Sequence, residues 1–113
     1  MIEKTILDHL SGALNVFCGM ERPADGTVPC VVVEKTGDSR ENMVNTAILA
    51  VQSYGPSLYE AASLNAAVKA AMLAAARLPE IAAVRLNSDY NFTDTATKDY
   101  RYQAVFDVTY YDL

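Results

Sequence analysis

The chain has 113 residues, the length of one ordinary domain, with 9 Lys and Arg against 14 Asp and Glu and a formal net charge of −5. Apolar residues make up 51% and charged residues 20%, a globular balance that excludes a disordered chain. No apolar run approaches the roughly 18 residues of a spanning helix, and an acidic balance argues against general nucleic-acid binding, which needs Lys and Arg to neutralise phosphates.

The start, Met1-Ile2-Glu3-Lys4, lacks a basic region followed by an apolar stretch, so no secretory signal and a soluble protein made inside the cell are expected. Residues 2–14 predict an amphipathic helix. Ile2, Ile6, Leu7, Leu10, Ala13 and Leu14 recur at helical spacing, Lys4 and Asp8 pair outside, and Ser11-Gly12 weaken the last turn. Asn15 to Met20 reads as a short first strand. Glu21-Arg22-Pro23-Ala24-Asp25-Gly26-Thr27 gathers Pro, Asp and Gly into a loop. Cys30 to Lys35, with Cys30-Val31-Val32-Val33 in succession, predicts a strand buried on both faces. Gly37-Asp38-Ser39-Arg40-Glu41-Asn42 reads as a polar break.

Met43 to Tyr54 predicts a strand whose two alternating sets are both partly apolar, ended by Gly55-Pro56. Ser57-Leu58-Tyr59-Glu60 is a capping box, with Ser57 accepting from the Glu60 N–H and the Glu60 carboxylate reaching back to the Ser57 N–H. The helix it opens runs to about Arg77, with Leu64, Val68, Ala71, Met72 and Ala75 as its core stripe. Glu60, Lys69 and Arg77 are its only charges and nine of its positions are alanine. Two explanations stay open for so small and apolar a surface: alanine's helix propensity, or a second face packed on another subunit.

The last third predicts a long β-hairpin: Ile81 to Phe92, a polar turn over Thr93 to Asp99, and Tyr100 to Tyr111. In the second arm Tyr100, Tyr102, Ala104, Phe106, Val108 and Tyr110 share one face. Each arm is roughly twice the usual strand length, so part of the hairpin is expected to project or to pair beyond its own domain. The sum is a single α+β domain of order αβββαββ, with two helices on a largely antiparallel sheet of about five strands.

Residues that carry chemistry are sparse. Cys18 and Cys30 read as apolar side chains in a reducing compartment, with a disulfide open if their strands pair. One histidine, His9, supplies too few partners for a metal site and sits on a helix flank beside Asp8. The glycines are dispersed, so no phosphate-cradling loop forms. Asp89, Asp94 and Asp99 around the hairpin turn lack calcium-loop spacing and read as a solvated turn. Seven tyrosines without tryptophan suit a core and an interface better than an RNA platform, since Lys98 and Arg101 are the only nearby bases. No catalytic residue, cofactor or metal is expected, and an assembly component fits better than an enzyme.

This order and spacing resembles the tail terminator (tail completion) proteins of long-tailed bacteriophages. The resemblance spans nearly the whole chain. It rests on the amphipathic start Met1 to Leu7, the Pro-containing loop before Cys30-Val31-Val32-Val33, the break at Gly37 to Asn42, the Ala-rich helix opened at Ser57, and the hairpin from Tyr90 to Tyr111. It implies a virion protein, made in the bacterial host cytoplasm, that forms a homo-oligomeric ring, a hexamer. Such a ring caps the tail tube, stops polymerisation and presents a surface for head-completion or neck proteins, with no membrane and no specific nucleic-acid partner. An acidic lumen would let DNA slide past. The loop residues Arg22 and Asp25, the residues Asp38, Arg40 and Glu41, and the turn residues Lys98 and Asp99 are the expected subunit or tube contacts. The alternatives are another neck component, such as a head–tail connector or stopper, or a small-molecule-binding α+β regulator or enzyme.

Overall fold

In the structure, a computed structural model that describes residues 1–111, the elements follow the expected order. Helix α1 spans Ile2–Leu14, strand β1 Phe17–Gly19, β2 Cys30–Glu41 and β3 Val44–Tyr54. Helix α2 spans Leu58–Ala74 and tightens into a 3-10 turn over Ala75–Arg77, followed by β4 (Ile81–Asn91) and β5 (Arg101–Tyr111). The strands form one mixed sheet of order β1-β2-β3-β5-β4, antiparallel throughout except for β1 beside β2. The fold is α+β.

Both helices lie on one face of this sheet. Ala47, Leu49 and Val51 of β3 stand in register with Val108, Phe106 and Ala104 of β5, and all six are fully buried. Val31 and Val33 of β2 continue the layer, and Ile6, Leu10, Val68 and Met72 close it from the helices. Burying each Val, Leu, Ile, Phe or Met side chain of this layer contributes about 1.5–3 kcal/mol, so the layer decides the fold. The opposite face carries no helix. There Ile48, Gln52, Val105, Gln103 and Asp107 alternate with the buried set, and Ala50 and a small cluster of Cys30, Val32 and Tyr54 are covered.

Helix α1 matches its predicted span and buries Ile2, Ile6 and Leu10, with Leu7 and Leu14 half-buried. Ala13 is exposed rather than packed, and the chain leaves the helix through Asn15 in a left-handed conformation, φ 56°. In α2 the cap forms as predicted at one bond, Ser57 Oγ accepting from the Glu60 N–H at 3.2 Å. The Glu60 carboxylate, however, takes the Ser57 hydroxyl at 3.0 Å instead of its N–H. The core stripe of α2 is Ala61, Asn65, Val68, Ala71 and Met72, with Ala75 following and Leu64 only half-buried.

The expected break at Gly37 to Asn42 is not a loop. Strand β2 runs on to Glu41, with a bulge between Lys35 and Gly37, and pairs Asp38, Ser39, Arg40 and Glu41 with Ala47, Thr46, Asn45 and Val44. The polar side chains hide this extension: Asp38 to Glu41 are all exposed, so neither face needs to be apolar here. Ladder hydrogen bonds to β3 hold it instead. The turn is the pair Asn42-Met43, both left-handed at φ 52° and 66°. Met43 therefore belongs to the turn, not to the following strand. In the terminal hairpin the long arms pair as expected, but β5 lies inside the sheet between β3 and β4, which leaves β4 alone at the edge.

Candidate functional site

The seven expected contact residues divide between the two ends of the sheet. Strand β3 joins the ends: Tyr54 lies beside Cys30 and Arg101, while Val44 lies beside Glu41 and Tyr111. At ~3.3 Å per residue the ends are roughly 35 Å apart. Arg22, Asp25, Lys98 and Asp99 gather at the first end, and Asp38, Arg40 and Glu41 at the second. They do not form one site.

At the first end the loop before β2 meets the terminal hairpin turn through Arg22. Its guanidinium donates to the Asp99 carboxylate at 3.1 Å and lies 4.1 Å above the Tyr54 ring. Arg101 approaches the same ring from β5, donates to the Tyr54 hydroxyl at 3.0 Å and to the Phe92 carbonyl at 2.8 Å, and lies 4.5 Å over the Phe92 ring. A positive charge held over an aromatic face is stabilised by the ring quadrupole, so each arginine is oriented as well as paired. Asp25 and Lys98 shape their own turns. Asp25 accepts from the Thr27 hydroxyl at 2.6 Å and the Thr27 N–H at 3.0 Å, and these bonds hold its carboxyl below the usual range. Lys98 sits left-handed at φ 55° beside the Asp94–Asp99 bridge.

From this end a row of polar side chains crosses the uncovered sheet face, and nothing in the sequence spacing announced it. Tyr54 donates to Gln52 at 3.0 Å, Gln52 to Gln103 at 2.9 Å, and Gln103 to Tyr90. The members come from β3, β5 and β4, so only the strand order brings them together.

At the second end Asp38 accepts from Lys35 at 3.2 Å and from the Tyr110 hydroxyl at 3.1 Å. Arg40 and Glu41 lie exposed on the last residues of β2, and Met43 at the tip is 74% exposed. Next to this end lies a groove of about 410 Å³, lined by Met1, Ile2, Thr5, Pro79, Glu80, Tyr110 and Tyr111. A second groove of about 340 Å³ shares Thr5 and Glu80 with it and adds Asp8, His9 and Leu78. His9 is spent on structure, its Nε2 lying 2.7 Å from the Ala71 carbonyl of α2 and donating to it.

Asp89 leaves the turn cluster: it stands against α2, accepting from Lys69 at 2.5 Å and from the buried Asn65 at 2.7 Å. Among the described residues no three acidic, His or Cys side chains converge as a metal site would require. The strands bearing Cys18 and Cys30 do pair, but Cys18 stands opposite Val31. The two thiols therefore point to opposite faces and are free. Burial pushes both thiols up in pKa, and for Cys30 the Arg22 charge pulls part of the way back.

Among the described residues no helix is long and apolar enough to cross a membrane. The sequence matches no family model and no curated protein.

Proposed function

We propose that the chain is an assembly subunit of the tail-terminator kind, which closes into a ring, caps a bacteriophage tail tube and offers a surface for head joining. One observation carries the reading: the sheet keeps two long sides without a partner. Among the described residues β1 covers only Cys30–Val32 of β2, so no strand adjoins the outer edge of β2 beyond Val32, and no strand other than β5 adjoins β4. These edges lie on opposite flanks, so contact between unlike flanks of successive copies is heterologous and closes into a ring when the rotation fits. The helix-free sheet face, with Ile48 39% and Tyr90 41% exposed, adds contact surface. The net charge of −5 suits a lumen that lets DNA slide rather than adhere. The virion is the corresponding location, and tail tube and neck proteins the corresponding partners.

Light scattering on a sizing column, for the protein alone and with purified tail tubes, tests this. A closed ring, or a monomer that becomes a ring on tube ends, is expected. A monomer at every concentration that ignores the tubes would refute it. Binding to a portal or adaptor ring instead of the tube would turn the assignment to a connector or stopper.

A further inference from the structure

The tip of the β2–β3 hairpin pairs exposure with backbone strain. Glu41 and Val44 form the last ladder pair, and both residues between them have positive φ. Two-residue turns of this form favour Asn then Gly. Asn42 suits the first position. Met43, at φ 66°, occupies the second, where a Cβ crowds the following carbonyl. The strain gains nothing inside the chain, because the Met43 side chain is 74% exposed at the hairpin tip. Strain without an internal return points outward, to a contact made with another molecule.

We propose that Met43 is a prong that seats in the groove between α1 and the 79–80 segment of a second copy of this chain, forming the ring contact; the inference rests on the ring reading above. Three features select this occupant. Met43 is not among the described residues lining its own groove, so prong and groove are separate surfaces of one chain. The groove is walled by Ile2, Pro79, Tyr110 and Tyr111, and an unbranched thioether fills irregular apolar space and favours aromatic edges. Prong and groove also lie at one level of a molecule 45 Å long, since Val44 pairs with Tyr111. A rotation about an axis parallel to that length preserves level, and so it can bring the prong of one copy to the groove of the next. Two unlike surfaces meeting this way give a directional contact that repeats around a closed ring.

The test compares the wild-type chain with Met43→Gly and with Thr5→Trp, which fills the groove from its solvent side. Glycine relieves the turn, so Met43→Gly is expected to melt about 2–4 °C higher while self-association weakens roughly ten- to a hundredfold. Thr5→Trp is expected to weaken association similarly with little change in melting. A photo-crosslinking residue at position 43 is expected to capture peptides containing residues 1–5, 79–80 or 110–111 of another chain. Association that survives both variants, or crosslinks elsewhere on the neighbour, overturns the prong and leaves the ring standing. A wild-type chain that stays monomeric with and without tail tubes overturns both.

Discussion

Replacing Asp89 with alanine strips the partner from a buried amide. Asn65 is 3% exposed, and its Nδ2 donates to Asp89 at 2.7 Å while its Oδ1 has no partner among the described residues. In Asp89→Ala the whole amide is left unpaired, which costs about 1–3 kcal/mol. Lys69 loses an ion pair that is one third solvated, worth at most about 1 kcal/mol. The sum is about 1–4 kcal/mol. An unfolding entropy of about 2.1 cal/mol/K per residue gives about 0.24 kcal/mol/K for this chain, so its melting temperature at pH 7 should fall by about 4–17 °C. Acid supplies the internal control. Desolvation pushes the Asp89 carboxyl up, but the hydrogen bonds from Lys69 and Asn65 and the Lys69 charge outweigh it, so its pKa lies below the ordinary value. A depressed carboxyl contributes stability above its unfolded pKa, near 3.9, and loses it as pH falls through the folded value. The gap between wild type and variant should therefore narrow once the pH drops below about 4. Calorimetric melts across pH 2.5–7, run at dilute protein, measure both effects. A fall under 2 °C at neutral pH, or a gap indifferent to acid, would refute the buried-amide account.

Gly55→Ala should destabilise by about 1–3 kcal/mol in denaturant titration, because the added Cβ would stand 2.6 Å from the Ala61 nitrogen and 3.0 Å from its Cα, both backbone of the first turn of α2. A neutral result would mean that helix and strand are not held so closely. Arg22→Ala should cost about 1 kcal/mol and speed proteinase K cleavage between residues 20 and 28, since it removes both the Tyr54 stacking and the Asp99 pair that tie this loop down. Unchanged cleavage would show the loop held by other contacts. Ellman titration in denaturant should count two thiols, with Cys30 unreactive in the folded protein because it is fully buried. Fewer than two would mean a disulfide and refute the opposite-face placement.

The elements read correctly from the sequence are those whose burial leaves a periodic trace. Ile2, Ile6 and Leu10 mark α1, Ser57 marks the start of α2, and the alternation through Ala104, Phe106 and Val108 marks β5. The far half of β2 left no trace because ladder hydrogen bonds and polar contacts such as those of Lys35 and Tyr110 with Asp38, not apolar burial, hold Asp38 to Glu41 in place. Asn65 was legible in part: it stands four residues after Ala61 and three before Val68, a polar residue on an apolar stripe, and that is a signal for a buried hydrogen bond. Arg22, Tyr54 and Arg101 were not, since local spacing does not say that the loop before β2 and the start of β5 meet over one ring. The seven contact candidates were chosen for polarity in loops, and polarity alone does not tell one end of a sheet from the other.

The placement of β5 has a consequence in time. It is made after β3 and β4 yet lies between them, and it brings Ala104, Phe106 and Val108 to the centre of the buried layer. Until the ribosome has released this segment, β3 has only β2 beside it, β4 has no neighbour, and α2 covers a layer missing its middle. The first eighty residues thus emerge as a hairpin and two helices whose apolar faces lack their main counterpart. Folding waits for a single late insertion, and because the contacts it makes are distant in sequence, the chain should fold slowly and all at once.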